Sequence, residues 1–417
     1  MANTTADKLN LLKQTKADIK TALANKGQTV DDTTPFSDYA EKINNIEGIE
    51  EYFPLEYPST TRKFYGSNDT NSLISRLKKC PPINIPNGAD LLELFKNCCS
   101  LVSIPQINTT DCIKTFGMFE NCVDLISVPE IDMSEVIDCS KMYSHCESLT
   151  TVPQSNLIIP KATYMTAMFE YSGITSINLT ANVCNIASNL CYYCQDLVTA
   201  ILSLKYVQNL DSCFYGCTSL TTVDLTDSFS YDRVPTEPSN IEFYTSMDSC
   251  FIRCTSLTTV SCDSNVIYGN NYNRCFSNCT KLTTIPSLSV KYSSGDNFLA
   301  STFSSCTSLT TVTFLNMSDA NSSNLNMSKC FSGCTSLTTI SGLDLSKVSS
   351  LDRCFSGCTS LTNDFLNTLL GQLVNVSSNY TGTKTLKYIG LSETQATTCT
   401  TLSNWSTAEA AGWTTGY

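Results

Sequence analysis

The chain has 417 residues, enough for more than one domain, and a formal net charge of −12 at pH 7. Its 26 Lys and Arg residues are scattered along the sequence, whereas a nucleic-acid-binding surface concentrates them in one stripe, so we expect no nucleic-acid partner. No window approaches the roughly 18 consecutive apolar residues of a transmembrane helix, so membrane insertion is not expected either.

Residues 1–48 are predicted to form two short amphipathic helices. The first covers residues 4–27, with Gly27 as its stop, and the second ends before Gly48. The apolar side chains that the helices would bury are Leu9, Leu12, Ile19, Leu23, Phe36, Tyr39 and Ile43. Because so short a segment buries little surface alone, we predict an anchoring or oligomerisation module. A helical hairpin that caps its own domain is the alternative.

The stretch TKADIKTAL…KG…TPFSDYAEKI lies within residues 8–46 and is similar to a short N-terminal segment of virion proteins from phages of gut bacteria. This resemblance implies docking to other virion proteins, and fibre architecture suggests a homo-oligomer, with a trimer as our guess. The opening residues MANTTADKLNLLKQ lack a basic and then apolar export signal. We therefore expect assembly in the host cytoplasm.

Residues 49–89 mix aromatic, proline and turn residues, and we interpret them as a linker and N-terminal cap. Residues 90–361 then repeat one pattern, most legible as CFSGCTSL at Cys330–Leu337 and Cys354–Leu361. We number each copy from its second cysteine, called position 0. Eleven copies align at spacings of 22 to 37 residues, which predicts a solenoid that tolerates insertions.

The repeat predicts two elements in each coil. Apolar residues at positions −7, −4, −3 and 0 share one face of a helix about two turns long. The Thr-rich, β-branched residues after position 0 favour a short strand. The predicted fold class is an α/β repeat, a solenoid of short parallel strands and short helical turns. Coils about 4.8 Å apart would align the side chains into a core ladder, represented by Phe119, Cys122, Phe214, Cys217, Phe331, Cys334, Phe355 and Cys358.

The signature F-x-x-C-x-x-L-x-x-V/I over residues 90–361 resembles the BspA-like leucine-rich repeats of bacterial and phage surface proteins. The resemblance implies a curved leucine-rich-repeat solenoid that presents a surface for adhesion, and not a catalyst.

The largest insertion lies between Cys217 and Cys254. Insertions in solenoids collect on one face, and exposed aromatic residues with an arginine are typical of recognition. We therefore predict a receptor-binding site, for which the alternative is a decorative loop, at Tyr231, Arg233, Phe243 and Tyr244.

Residues 362–417 follow the last repeat and contain both tryptophans, Trp405 and Trp413. We interpret them as a C-terminal cap, with a receptor-contacting tip domain as the alternative.

The 23 cysteines are predicted to be free buried thiols. On a helix, the two cysteines of a Cys-x-x-x-Cys pair would have Cβ atoms about 5–6 Å apart, too far for a relaxed disulfide. A second close ligand pair for zinc is missing from each repeat, and the same positions hold Leu, Met or Ser elsewhere. Disulfides and metal remain open. We expect no cofactor.

No catalytic residue is predicted. The single histidine, His145, lies at position −1, and we interpret it as solvated. Asp132, Asp224 and Asp344 suggest a solvated acidic ladder, with calcium binding as the alternative.

Together these features predict a phage virion protein, a tail or head fibre or spike exposed on the particle, that binds a host-surface glycan or protein. A bacterial surface adhesin and a glycan-degrading enzyme are the alternatives.

Overall fold

The computed structural model describes residues 16–24, 78–80, 83, 85–225, 228, 245–290, 298–320 and 324–417. Residues 16–24 are helical, with Leu23 buried and Ile19 half-buried. The remaining predicted anchoring residues lie outside the described residues: Leu9, Leu12, Phe36, Tyr39 and Ile43. Among the described residues, no helix has the length and apolar content needed to cross a bilayer.

From residue 78 onwards the described chain winds into stacked coils joined by parallel strand pairs. The strands are β1 Ser176–Ala181, β2 Thr199–Leu204, β3 Thr222–Asp224, β4 Thr245–Ser246, β5 Thr259–Ser261, β6 Val266–Asn271, β7 Ser287–Ser289, β8 Thr311–Leu315, β9 Leu325–Asn326, β10 Thr339–Ser341 and β11 Val348–Ser350. Their orders are β1-β2-β3-β5, β10-β8-β7-β6-β4 and β11-β9. The predicted fold class, a parallel-strand repeat solenoid, is confirmed.

The strands form because inward apolar residues alternate with outward, mostly polar ones. In β2, Thr199 is exposed while Ala200 and Leu202 are buried. The register places Thr199 beside Thr222 of β3, so equivalent residues of neighbouring coils stack. This stacking buries one face of every strand in a continuous core.

The segment that precedes position 0 is not the helix that its apolar spacing predicts. In the first complete coil, the N–H of Phe95 donates to the carbonyl of Met118 in the next coil at 2.8 Å, and Asn97 donates to Glu120 at 2.7 Å. The intervening N–H of Lys96 instead bonds back to the carbonyl of Glu93 in its own coil, at 3.2 Å. An α-helix needs every N–H for bonds within the segment. Here every second N–H joins two coils, so the segment becomes a series of turns.

These turns require left-handed residues at two fixed positions. Glu93, at position −5, has φ 56°, and Asn97, at position −1, has φ 63°. Both positions have positive φ in all eleven coils. Asn and Gly tolerate this conformation best, and both recur at position −1, for example as Asn121 and Gly333. That recurrence is the sequence signal that indicates turns instead of a helix.

The aromatic side chains at position −3 stack as a ladder inside the solenoid. Phe95 and Phe119 have ring centroids 5.4 Å apart with planes at 7°, and Phe119 and Tyr143 follow at 5.7 Å and 5°. Cys191 replaces the ring in one coil, and the stack continues from Phe214. The structure places all eight residues of the proposed core ladder in the interior: Phe119, Cys122, Phe214, Cys217, Phe331, Cys334, Phe355 and Cys358.

The position 0 cysteines are hydrogen-bond donors as well as packing groups. The thiol of Cys122 donates to the carbonyl of Phe95 at 3.1 Å, and Cys217 donates to Cys191 at 3.0 Å. Seven further thiols make the same contact with the preceding coil: Cys146, Cys194, Cys254, Cys279, Cys306, Cys334 and Cys358. Cysteine at position 0 therefore links neighbouring coils by a hydrogen bond in addition to packing in the core.

All 23 cysteines are free, and all but Cys99 and Cys262 are buried. The predicted burial of the thiols is confirmed. Burial raises the pKa of several core thiols, for example to about 12 at Cys358, because a thiolate is poorly solvated there.

Three helices follow the last repeat: α1 Asn363–Leu373, α2 Glu393–Cys399 and α3 Trp405–Ala410. The Thr362 side chain caps α1 by accepting from the N–H of Phe365. Trp413 is fully buried and donates its indole N–H to the carbonyl of Leu373 at 3.0 Å. Trp405 is partly buried against the core. Both tryptophans thus join the helices to the core.

Candidate functional site

The receptor-binding residues proposed from the sequence lie outside the described residues: Tyr231, Arg233, Phe243 and Tyr244. Their role in receptor binding stays a prediction. The described residues contain a different candidate surface.

Five aromatic side chains lie together at positions −2 and −1 of four successive coils. This aromatic patch consists of His145, Tyr171, Tyr192, Tyr193 and Tyr215. Tyr171 is 38% exposed, and the other four are half-buried. The patch is therefore partly exposed to solvent.

The backbone holds the patch in place. His145, Tyr171 and Tyr193 have φ of 58°, 54° and 56°, the left-handed conformation of position −1. The N–H of Tyr171 donates to the carbonyl of Tyr192 at 2.8 Å, and that of Tyr193 donates to Tyr215 at 2.7 Å. Each ring is therefore attached to backbone that is bonded to the next coil, which is the preorganisation that a binding surface needs.

The rings form a stacked series along the solenoid. His145 and Tyr171 have centroids 4.8 Å apart with planes at 16°, and Tyr171 and Tyr193 are 5.3 Å apart at 8°. Tyr192 meets Tyr193 edge-on at 4.9 Å and stacks with Tyr215 at 5.0 Å. These contacts restrict every ring of the patch.

A glycine in the adjoining coil makes room for the patch. Gly216 has φ +76°, and a Cβ atom built there would lie 3.0 Å from the Tyr193 ring. Any larger residue at this position would strain the backbone and crowd the ring.

Two tyrosine hydroxyls of the patch have a perturbed pKa. Partial burial, followed by neighbouring tyrosines and Glu170, raises the pKa of Tyr171 and of Tyr192. Their hydroxyls therefore stay protonated at neutral pH. Glu170 accepts a hydrogen bond from the Ser144 hydroxyl at 3.5 Å. Protonated phenols combine an apolar ring with a donor and acceptor, which suits recognition of polar, weakly charged partners.

The interpretation of His145 as a solvated side chain needs correction, because it is half-buried and stacked on Tyr171.

The prediction of an acidic ladder is also wrong. Asp132, Asp224 and Asp344 lie in coils that are not neighbours. Asp132 and Asp344 instead accept from the N–H of Ser134 and Ser346, two residues further along, in local turns. Within the described part of the chain, no group of three or more His, Cys, Asp or Glu side chains is arranged to hold a metal ion.

The repeat region matches a known protein family. The chain matches the BspA type leucine rich repeat region, in six copies, over residues 83–198, 162–233, 236–362 and 272–398. These matches cover well over half of its length. The chain belongs to the BspA-type leucine-rich repeat family.

Solved structures of leucine-rich repeat proteins are similar only at a distance. A leucine-rich repeat protein from Bacteroides ovatus is 18% identical, with a TM-score of 0.37, over 65% of this chain and 68% of that one. A leucine rich cell surface protein from Faecalibacterium prausnitzii is 16% identical, with a TM-score of 0.29, over 76% of this chain and 81% of that one. Comparison with curated proteins finds no match.

Sequence reasoning missed the aromatic patch although its signal is present in the BspA-type repeat. Aligning the copies on position 0 places Tyr171 and Tyr193 at position −1, beside His145, and Tyr192 and Tyr215 at position −2. Only the contacts between coils show that these columns form one surface.

Proposed function

We propose that the chain is a structural protein of a bacteriophage virion, a fibre or spike whose BspA-type solenoid binds a glycan or protein on the host surface. The aromatic patch is the observation that carries the binding role. Its five rings are held on a rigid backbone and include the exposed Tyr171. Tyrosine contributes large contact area at little conformational cost, which is why it is frequent in recognition surfaces.

The solenoid suits attachment more than catalysis. Its coils repeat the same hydrogen bonds between neighbouring backbones, so the surface is preorganised. Binding would arise from many modest contacts, multiplied by the number of copies on a particle. We propose no chemical step and no cofactor.

Two observations support a virion. Residues 8–46 are similar to an N-terminal segment of phage virion proteins. In addition, all 23 cysteines are free, which fits assembly in a reducing cytoplasm, where disulfides seldom persist. We propose that residues 1–48 bind other virion proteins and associate with copies of the same chain, as a trimer. The solenoid would then lie on the exposed surface of the particle.

The binding role is tested with the purified full chain on a panel of gut bacterial strains. Replacing Tyr171 and Tyr193 together by Ser should reduce cell binding at least about tenfold, because two central rings of the patch are lost. The matched control is Tyr164→Ser, since Tyr164 is 42% exposed but lies outside the patch. Equal binding by the two proteins would refute the role of the patch.

The virion assignment is tested separately. An antibody against the solenoid should label purified phage particles, and deletion of residues 1–48 should prevent incorporation while the solenoid stays folded. Labelling of bacterial surfaces in cells that carry no phage would instead identify an adhesin of the bacterium.

A further inference from the structure

A second candidate site lies near the C-terminal end of the solenoid, away from the aromatic patch. A polar groove of about 650 Å³ runs between the coils that contain β9 and β11 and the segment that follows α1. Its described lining consists of eight residues, all Asn, Ser, Thr or Tyr. We propose that this polar groove binds a neutral carbohydrate, as a single sugar unit or the end of a glycan chain. This proposal is independent of the aromatic patch.

One wall of the groove is built by two neighbouring coils. The pairing of β9 with β11 places Asn326 beside Ser350. The Asn326 side-chain oxygen accepts from the N–H of Ser328 at 2.8 Å, and the hydroxyls of Ser328 and Ser350 are 2.8 Å apart. These bonds fix the side chains of this wall before any ligand arrives.

The second wall comes from residues 378–381 and is bonded to the first. The N–H of Thr381 donates to the carbonyl of Ser349 at 2.9 Å. The Asn379 amide donates to the side-chain oxygen of Asn324 at 3.0 Å. Because these bonds link the two walls, the groove is a preformed feature of the folded chain.

The chemistry of the lining favours an uncharged polyol. Amide and hydroxyl groups can both donate and accept, as sugar hydroxyls do. None of the described lining residues is charged, so an anionic or cationic ligand would enter without a counter-charge. Short Ser, Thr and Asn side chains leave open space, and the volume lies within the roughly 300–1,000 Å³ range of small-ligand sites.

Tyr380 supplies the aromatic element that sugar sites commonly need. Its ring packs against Trp413 with centroids 5.8 Å apart, which limits its movement. Its hydroxyl is buried and has no hydrogen-bond partner among the described residues. The lining therefore offers an apolar ring beside polar groups.

The test measures binding of defined sugars to the full chain by saturation-transfer NMR and calorimetry. The probes are methyl glycosides of neutral hexoses and N-acetylhexosamines, with methyl glucuronide as the charged counterpart. We expect binding of at least one neutral glycoside and at least tenfold weaker binding of the glucuronide.

Two variants localise the site. Ser378 is exposed in the lining, and Ser378→Trp fills the groove, so it should abolish binding. Asn379→Leu keeps a similar size but removes the amide that donates to Asn324, and it should weaken binding about tenfold because the bond between the two walls is lost. Ser406→Trp, on an exposed face of α3, is the matched control and should bind as the unsubstituted chain does.

The proposal is overturned if no neutral glycoside binds, or if Ser378→Trp binds as tightly as Ser406→Trp. The chain with both Tyr171 and Tyr193 replaced should retain full glycoside binding. The experiments therefore distinguish a failure of the proposal for the aromatic patch from a failure of the proposal for the polar groove.

Discussion

The thiol of Cys122 donates a 3.1 Å hydrogen bond to the main-chain carbonyl of Phe95, one coil earlier. That carbonyl also accepts the N–H of Cys98 within its own coil, at 3.1 Å. Position 0 therefore combines a compact side chain with a hydrogen-bond donor. Ser172, the one residue at position 0 that is not cysteine, is likewise compact and carries a donor.

This hydrogen bond predicts that the Ser and Ala variants have opposite orders of stability at two cysteines of one coil. At position 0, Cys279→Ser keeps a donor to the Phe251 carbonyl, so it should be about 1 kcal/mol more stable than Cys279→Ala. At position −4, where Cys275 lies, other coils carry Leu or Met. Cys275→Ser should therefore be less stable than Cys275→Ala, because a hydroxyl is placed in an apolar position. Denaturant midpoints of the four variants give both orders, and the same order at both positions would contradict the assigned thiol bond.

Thiol labelling of the folded chain should be confined to two residues. Cys99 and Cys262 are half-buried and the remaining cysteines are buried. An aromatic disulfide reagent at neutral pH should modify at most these two before unfolding, and slowly, because burial also raises the pKa of Cys262 to about 11. Mass spectrometry of peptides from briefly treated protein identifies the sites. Rapid modification of core residues such as Cys217 would contradict the packing.

Alkaline pH should unfold the solenoid in a narrow interval. Burial raises the pKa of Cys399 to about 11 and of Cys358 to about 12, from an ordinary value of 9.0. Because the folded values lie above the unfolded one, the stabilisation is fully present below pH 9 and is lost as the pH rises toward the folded values. Each thiol then contributes a loss of up to roughly 1.4 kcal/mol per pH unit.

With so many buried thiols, the free energy of unfolding should fall steeply above pH 9. Circular dichroism during a pH titration measures the transition, and reversal on return to neutral pH under reducing conditions is the control. A stability that is level from pH 8 to beyond 10 would refute the burial of the thiols.

The left-handed position −5 predicts a stabilising substitution. Ala167 has φ 56°, a conformation that costs an L-residue about 1–2 kcal/mol. Ala167→Gly removes that strain and should raise stability by about 0.5–1 kcal/mol, after the entropic cost of glycine. Ala162 is buried with ordinary backbone angles, so Ala162→Gly should lower stability. Thermal unfolding of the two variants gives the sign of each change in stability. Destabilisation by both substitutions would show that position −5 is not left-handed.

The sequence predicted the interior well, because inward residues recur at fixed spacing. Phe119 and Cys122 could be assigned to a buried ladder from the repeat alone. The same spacing led to the wrong local structure before position 0. Positions −7, −4, −3 and 0 also suit a helix, and only the alternation of N–H partners between coils excludes it.

The order of amino acids alone predicts the repeat, the parallel solenoid and the burial of rings and sulfur, since these follow from periodic apolar residues. Which residues of different coils meet is known only from the folded chain. Tyr171 lies against Tyr193, the thiol of Cys122 donates to the carbonyl of Phe95, and the Asn379 amide donates to Asn324. Such partners lie more than twenty residues apart, and their contacts depend on the registry of stacked coils, which no local pattern contains.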